Sequence, residues 1–66
     1  MLITVNGEGK EIGAGAAVTD LLAQLGLEAR KIAVERNLEI VPKTAYATTK
    51  IVDGDRIEIV QFVGGG

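Results

Sequence analysis

Residues 18–27 read VTDLLAQLGL, and this is where apolar residues recur at helical spacing. Val18, Leu21, Leu22 and Leu25 stand at i, i+3, i+4 and i+7, which is one face of a helix. Asp20 falls in the first turn, where a carboxylate suits the positive end of the helix dipole. Gly26 adopts the left-handed conformation without a Cβ penalty, so it stops the helix, and Leu27 folds back onto Leu22. The start is open: Thr19 is the best side-chain cap, and a beginning at Ala16 or Ala17 is equally consistent with the pattern. Everything flanking this helix reads as strand, and that decides the fold.

Upstream, MLITV alternates with the strand period and runs straight into Asn6-Gly7. Asn-Gly supplies the two positive-φ residues of a type I′ turn, so Leu2–Val5 is expected to pair with a second strand near Gly9–Ile12. Downstream, RKIAVERN forms a third strand with Ile32 and Val34 inward, and LEIV a short fourth that Pro42 ends or places at an edge. KTAYATTKIV has no clean period and reads as a loop or single turn anchored by Tyr46. Asp53-Gly54-Asp55 is a turn, and RIEIVQFV is the last strand, with Ile57 and Ile59 on its inner face. Two hairpins around one helix, with a long final strand, give the order ββαβββ. That order points to an α+β, β-grasp (ubiquitin-like) domain: a mixed sheet of four to five strands wrapped on one helix. Its first and last strands then lie side by side and parallel at the centre.

Composition narrows the function. The chain has 66 residues, 47% of them hydrophobic, with one Phe, one Tyr and no Trp, enough for one small core. It has no Cys and no His. That removes disulfides, thiolate metal sites, thiol nucleophiles and the commonest general base. A net charge of −2 and scattered Lys and Arg argue against a nucleic-acid partner. No apolar run reaches the roughly 18 residues of a membrane span and no signal peptide is apparent, so a cytoplasmic protein without membrane attachment is expected.

The motif-like stretches dissolve on inspection. GAGAAV ahead of the helix would place bulky Val18 at the third small position of a dinucleotide fingerprint. GEGKE lacks the spacer of a phosphate loop and the hydroxyl residue after Lys10. The DGD turn lacks the other ligands of a calcium loop. Glu28, Glu35, Glu39 and Glu58 read as solvated surface.

The end of the chain is different. If Ile57 and Ile59 face inward, Glu58, Val60 and Phe62 face outward, and the single Phe is left on the surface. A bulge that turns Phe62 inward is the competing reading. The outward reading gives an apolar docking patch of Val60 and Phe62, extended by Leu2 and Ala33. Gly64, Gly65 and Gly66 follow, so the domain is expected over 1–63 and a flexible glycine tail over 64–66. Three extended residues reach roughly 10 Å, and without Cβ atoms they can thread a narrow channel. The group then presented is the α-carboxylate of Gly66.

The run from IVP through Tyr46, DGD and RIEIV to the glycines, with the LLAQLGL helix and the early Asn hairpin, resembles the ThiS family of thiamin-biosynthesis sulfur carriers. Ala17 stands where that family often has a Thr. The resemblance implies no bound cofactor or metal and no catalytic side chain: the chain is a substrate. An E1-like adenylating enzyme of the ThiF type, using ATP and Mg, would activate the Gly66 carboxylate. Sulfur from a donor such as a cysteine desulfurase would displace AMP and leave a C-terminal thiocarboxylate. Thiazole synthase, of the ThiG type, would accept that sulfur. Gly64 and Gly65 would be the stalk in the partner's channel, Val60, Phe62 and Leu2 would dock, and the free carrier would be a monomer. Carriers for molybdopterin synthase or other thiolation pathways share these features. So does a ubiquitin-like interaction module whose terminus is inert.

Overall fold

The computed structural model describes residues 1–62. The expected domain limit at residue 63 and the tail residues Gly64, Gly65 and Gly66 lie outside them. Within them, β1 (Leu2–Val5) and β2 (Glu8–Glu11) form a hairpin whose turn residues Asn6 and Gly7 both have positive φ, 51° and 84°. The second strand begins one residue earlier than the spacing predicts, because the two-residue turn starts pairing at once, Val5 opposite Glu8. Ile12 thereby falls just past the strand. Its N–H donates to the Met1 carbonyl (2.9 Å) and its side chain joins the core.

Helix α1 spans Val18–Leu25. Ala17 occupies the capping position, and the Asp20 carboxylate reaches back to accept its N–H at 2.8 Å. Thr19 lies inside the helix and caps nothing. The first turn is satisfied by backbone instead: Val18 N–H donates to the Thr49 carbonyl and Thr19 N–H to that of Tyr46, both at 3.1 Å. A bridge between Ala17 and Lys50 locks the same segment against the helix start. This is why a small, buried Ala serves where a capping hydroxyl would ordinarily be preferred.

The other end follows the expectation. Gly26 sits at φ 70°, its N–H donates to Ala23, and the Leu27 N–H donates to Leu22 at 2.9 Å, the two bonds of a Schellman motif. A Cβ at Gly26 would meet open space. Gly26→Ala is therefore expected to cost only its left-handed backbone, about 1 kcal/mol, and Gly26→Asn less. Urea unfolding midpoints for the two variants check this.

A single 3-10 turn (Ala29–Lys31) leads into β3 (Ile32–Arg36), which pairs antiparallel with β4 (Glu39–Val41). A second 3-10 turn, Lys43–Ala45, sets Tyr46 into the core, and β5 (Arg56–Gln61) closes the fold. The sheet order is β2-β1-β5-β3-β4, with β1 and β5 parallel at its centre, as the element order predicts. Ile3, Ile32, Val34 and Ile57 line one sheet face and pack with Val18, Leu21 and Leu22 of the helix. Burying these side chains at ~1.5–3 kcal/mol each is what holds so short a helix in place.

Candidate functional site

The functional question concentrates on β5. It takes parallel pairing from β1 (Thr4 with Arg56, Val5 with Ile57) and antiparallel pairing from β3. The β3 register runs unbroken from Arg36 opposite Ile57 to Ile32 opposite Gln61, so no bulge interrupts the strand. Ile57 is fully buried and Ile59 packs at the core margin. Alternation then sends Val60 outward, 62% exposed and directly opposite Ala33. Phe62 is 48% exposed, and its N–H donates to the Lys31 carbonyl at 2.9 Å.

Val60 and Ala33 are thus neighbours on the outer face, and Phe62, also exposed, follows two residues further on. Leu2 is exposed too, but it does not belong there. The β1–β5 register places Leu2 level with Gly54, six residues before Val60, or about 20 Å along the strand at ~3.3 Å per residue. Parallel central strands put the start of β1 at the opposite end of the sheet from the end of β5. Strand alternation cannot show that separation, because it gives the face of a side chain and not its height.

On the inner side, Val5, Leu25, Leu27, Ile59 and Gln61 line a groove of about 480 Å³. The end of β5 therefore carries exposed Val60 on one side and borders this groove on the other.

Three polar side chains fix β5, and their roles were not apparent from the sequence. Asn6 does more than turn the first hairpin. Its backbone N–H donates to the Ile57 carbonyl (2.9 Å), its Oδ1 accepts the Ile59 N–H (2.8 Å) and its Nδ2 donates to the Ile59 carbonyl (3.2 Å). The side-chain amide thereby imitates one more residue of parallel strand. Asn37, in the turn of the second hairpin, acts alike on the other flank: its N–H donates to the Arg56 carbonyl (2.8 Å) and its Oδ1 accepts the Arg56 N–H (2.9 Å). Both asparagines sit at positive φ, 51° and 52°, a conformation Asn tolerates.

Asp55 is the buried member, 4% exposed. Oδ2 accepts from Arg36 Nε (2.7 Å) and the Val52 N–H (2.9 Å), and Oδ1 accepts from Asn37 Nδ2 (3.0 Å). Burial pushes its carboxyl pKa up. The donors from Val52, Arg36 and Asn37, with the Arg36 charge, outweigh that and hold it below the ordinary carboxylate value. Tyr46 moves the other way: burial raises its phenol pKa, against a smaller pull from the Val34 backbone. Among the described residues there is no group of three Asp or Glu placed to hold a metal, and no helix is long and apolar enough to cross a membrane.

The fold and this site define a ubiquitin-like β-grasp domain whose central strand leads out of the sheet beside an apolar patch. Residues 3–66 match the model of the ThiS family. The chain is 51% identical over 49 residues to the sulfur carrier protein ThiS of Bacillus subtilis, a match covering 74% of each. The crystal structure of the thiamine biosynthesis protein ThiS from Geobacter metallireducens superposes over the whole of both chains, with a TM-score of 0.86 and 36% identity. The chain belongs to the ThiS family. It is also 53% identical, over all 66 residues, to part of a thiazole synthase of Paramagnetospirillum magneticum. It spans only a fifth of the length of the thiazole synthases it matches, 20% of each.

Proposed function

We propose that this domain carries sulfur for thiazole formation in thiamin biosynthesis, as a protein substrate in the cytoplasm. The observation that carries the reading is the family match, which runs through the glycine triplet to residue 66. The Gly66 carboxylate attacks the α-phosphate of ATP, with Mg, on an E1-like adenylating enzyme; pyrophosphate leaves and an acyl-adenylate forms. A carboxylate by itself resists nucleophiles, and adenylate is a good leaving group. The persulfide sulfur of a desulfurase-type donor attacks the acyl carbon and AMP departs, giving an acyl disulfide. A thiol of a partner protein or soluble reductant then attacks the donor's sulfur, forms a disulfide with it and releases the C-terminal thiocarboxylate.

Thiazole synthase is the acceptor this reading favours over molybdopterin synthase. Its support is the likeness to a region of proteins named thiazole synthases. In this scheme Gly64 and Gly65 thread the partner's channel, and Val60 with Phe62 docks on the adenylating enzyme. Leu2 stands too far along the sheet to share that contact and would touch a different part of a partner.

The test is intact mass after incubation with ATP, Mg, an adenylating enzyme of the family and a sulfur source. The expected product gains the difference of one sulfur for one oxygen, and an unchanged mass rejects the proposal. Val60→Asp is expected to weaken binding to the adenylating enzyme at least about tenfold, since it places a charge in the centre of a desolvated patch. Its stability should move by less than about 1 kcal/mol, because Val60 is exposed. Equal affinity for wild type and variant would remove the patch from the docking surface.

A further inference from the structure

We propose that Lys43 is a positioning residue: its ammonium holds the Phe62 ring and so fixes the direction in which the backbone leaves β5. The reasoning starts from how little else holds that point. On the β1 side, strand pairing ends at Val5 with Ile57, and the Asn6 amide adds Ile59. On the β3 side the ladder ends at Ile32 with Gln61, followed by one further bond, Phe62 N–H to the Lys31 carbonyl. A residue held by a single backbone bond can pivot about it, so keeping Phe62 in one place requires a side-chain anchor.

Lys43 supplies one. Its Nζ lies 5.2 Å from the centroid of the Phe62 ring and 5.9 Å from that of Tyr46, and it donates to the Ile32 carbonyl. That carbonyl lies on a stretch of β3 that β4 does not reach, since β4 pairs only with Val34 to Arg36. Two of the three partners are fixed by the core, Tyr46 and Ile32 both being buried. The third, Phe62, is the one the ammonium restrains. A surface lysine ordinarily keeps its head in water. Here the head is spent on a backbone carbonyl and two π faces, an arrangement that strengthens as water is excluded. Pro42 (φ −63°) and the 3-10 turn fix the backbone beneath it, and the three-residue spacing of that turn brings Lys43 and Tyr46 to the same side.

The consequence for activity rests on the proposed carrier function; the restraint on Phe62 does not. The experiment therefore has two readouts on Lys43→Met, Lys43→Arg and Phe62→Leu. The first is amide hydrogen exchange of Phe62 in the isolated domain, with Val34 as the core reference. The second is steady-state adenylation by the family's adenylating enzyme. Lys43→Met is expected to speed Phe62 exchange about fivefold with Val34 unchanged. It should lower kcat by a similar factor with KM unchanged, because docking through Val60 is intact and only carboxylate placement is degraded. Lys43→Arg, which keeps a cation over the ring, should restore both. Phe62→Leu should match Lys43→Met in the amide exchange at position 62, with the double variant no faster than either. Because Phe62 also docks, its KM is expected to rise and only its exchange enters the comparison. Should Lys43→Met unfold, Lys43→Gln, which likewise removes the cation, takes its place in both readouts. Unchanged Phe62 exchange in Lys43→Met, or an arginine variant as impaired as the methionine one, overturns the proposal. A wild-type domain that is never adenylated defeats the carrier reading, and the exchange data then decide the role of Lys43.

Discussion

Deletion of Gly66 is expected to leave the domain folded and to abolish thiocarboxylate formation. The core runs from Ile3 to Ile57 with Ile59 at its margin, and the sheet closes at Gln61, so the change in thermal midpoint should be negligible. The chemistry should respond in full. The shortened chain still ends in a carboxylate, now on Gly65, but that group is retracted by one residue, ~3.5 Å. A misplacement of even 1 Å can cost about 100-fold in a reaction that depends on positioning, so the loss should exceed that. This makes the deletion sharper than any charge change, because the reacting functional group is kept and only its reach is altered. Gly66→Ala asks the complementary question. It restores the reach and adds one methyl group, so it reports whether the partner's channel is as narrow as three successive glycines imply. Intact mass after ATP, adenylating enzyme and sulfur source reads both variants. A thiocarboxylate on the deletion variant at the wild-type rate would dismiss Gly66 as the modified residue.

The parts of this molecule that follow from local chemistry could be read in the sequence, and those that depend on distant partners could not. Asn6-Gly7 and Gly26 each announce a backbone conformation that few other residues accept, and both appear where expected. The parallel centre of the sheet followed from element order, since a lone helix between two hairpins must cross from one edge to the other. The second hairpin was less legible because its turn is Asn37-Leu38. Leu38 sits at φ 72°, where a branched side chain is disfavoured, and the chain accepts this because Asn37 is tied to Arg56 and Asp55. Asp55 was hidden by its setting: a DGD triplet reads as a solvated turn, and only the fold brings Arg36 and Asn37 to it. Lys43 was hidden likewise. Its spacing to Tyr46 is visible in the sequence, but Phe62 lies nineteen residues away and meets it only once β5 lies beside β3. Leu2 was grouped with Val60 because face can be inferred from alternation and height cannot.

Asp55→Asn should be nearly as damaging as Asp55→Ala, each costing about 3 kcal/mol, although Asn is the same size and also accepts hydrogen bonds. The reason lies in the partners, which are all donors: Arg36 Nε and the Val52 N–H at Oδ2, Asn37 Nδ2 at Oδ1. A carboxylate is an acceptor at both oxygens, whereas an amide must turn its NH2 toward one of them. If the new amide oxygen keeps Arg36 and Val52, its NH2 faces the Asn37 NH2. Asn37 cannot flip in compensation, because its Oδ1 already accepts the Arg56 N–H. Arg36 also loses its buried counter-ion, softened by its own partial exposure of 31%. A domain of this size has total stability on the order of 3–10 kcal/mol, so either variant should be largely unfolded in mild urea. The effect has a pH signature. The folded-state pKa of Asp55 is depressed, so its contribution is complete above the unfolded value of roughly 3.9 and is lost as pH falls through the lower folded value. The stability difference between wild type and Asp55→Asn should accordingly be constant from about pH 5 to 8 and shrink below about pH 4. Glu28, also depressed, by its hydrogen bond to Lys31 and by the Lys31 and Arg30 charges, is fully exposed and titrates in both proteins, so it cancels from the difference. Urea unfolding across that range makes the measurement. A difference that stays constant down to pH 2 would mean that Asp55 holds the second hairpin through shape alone and not through its charge.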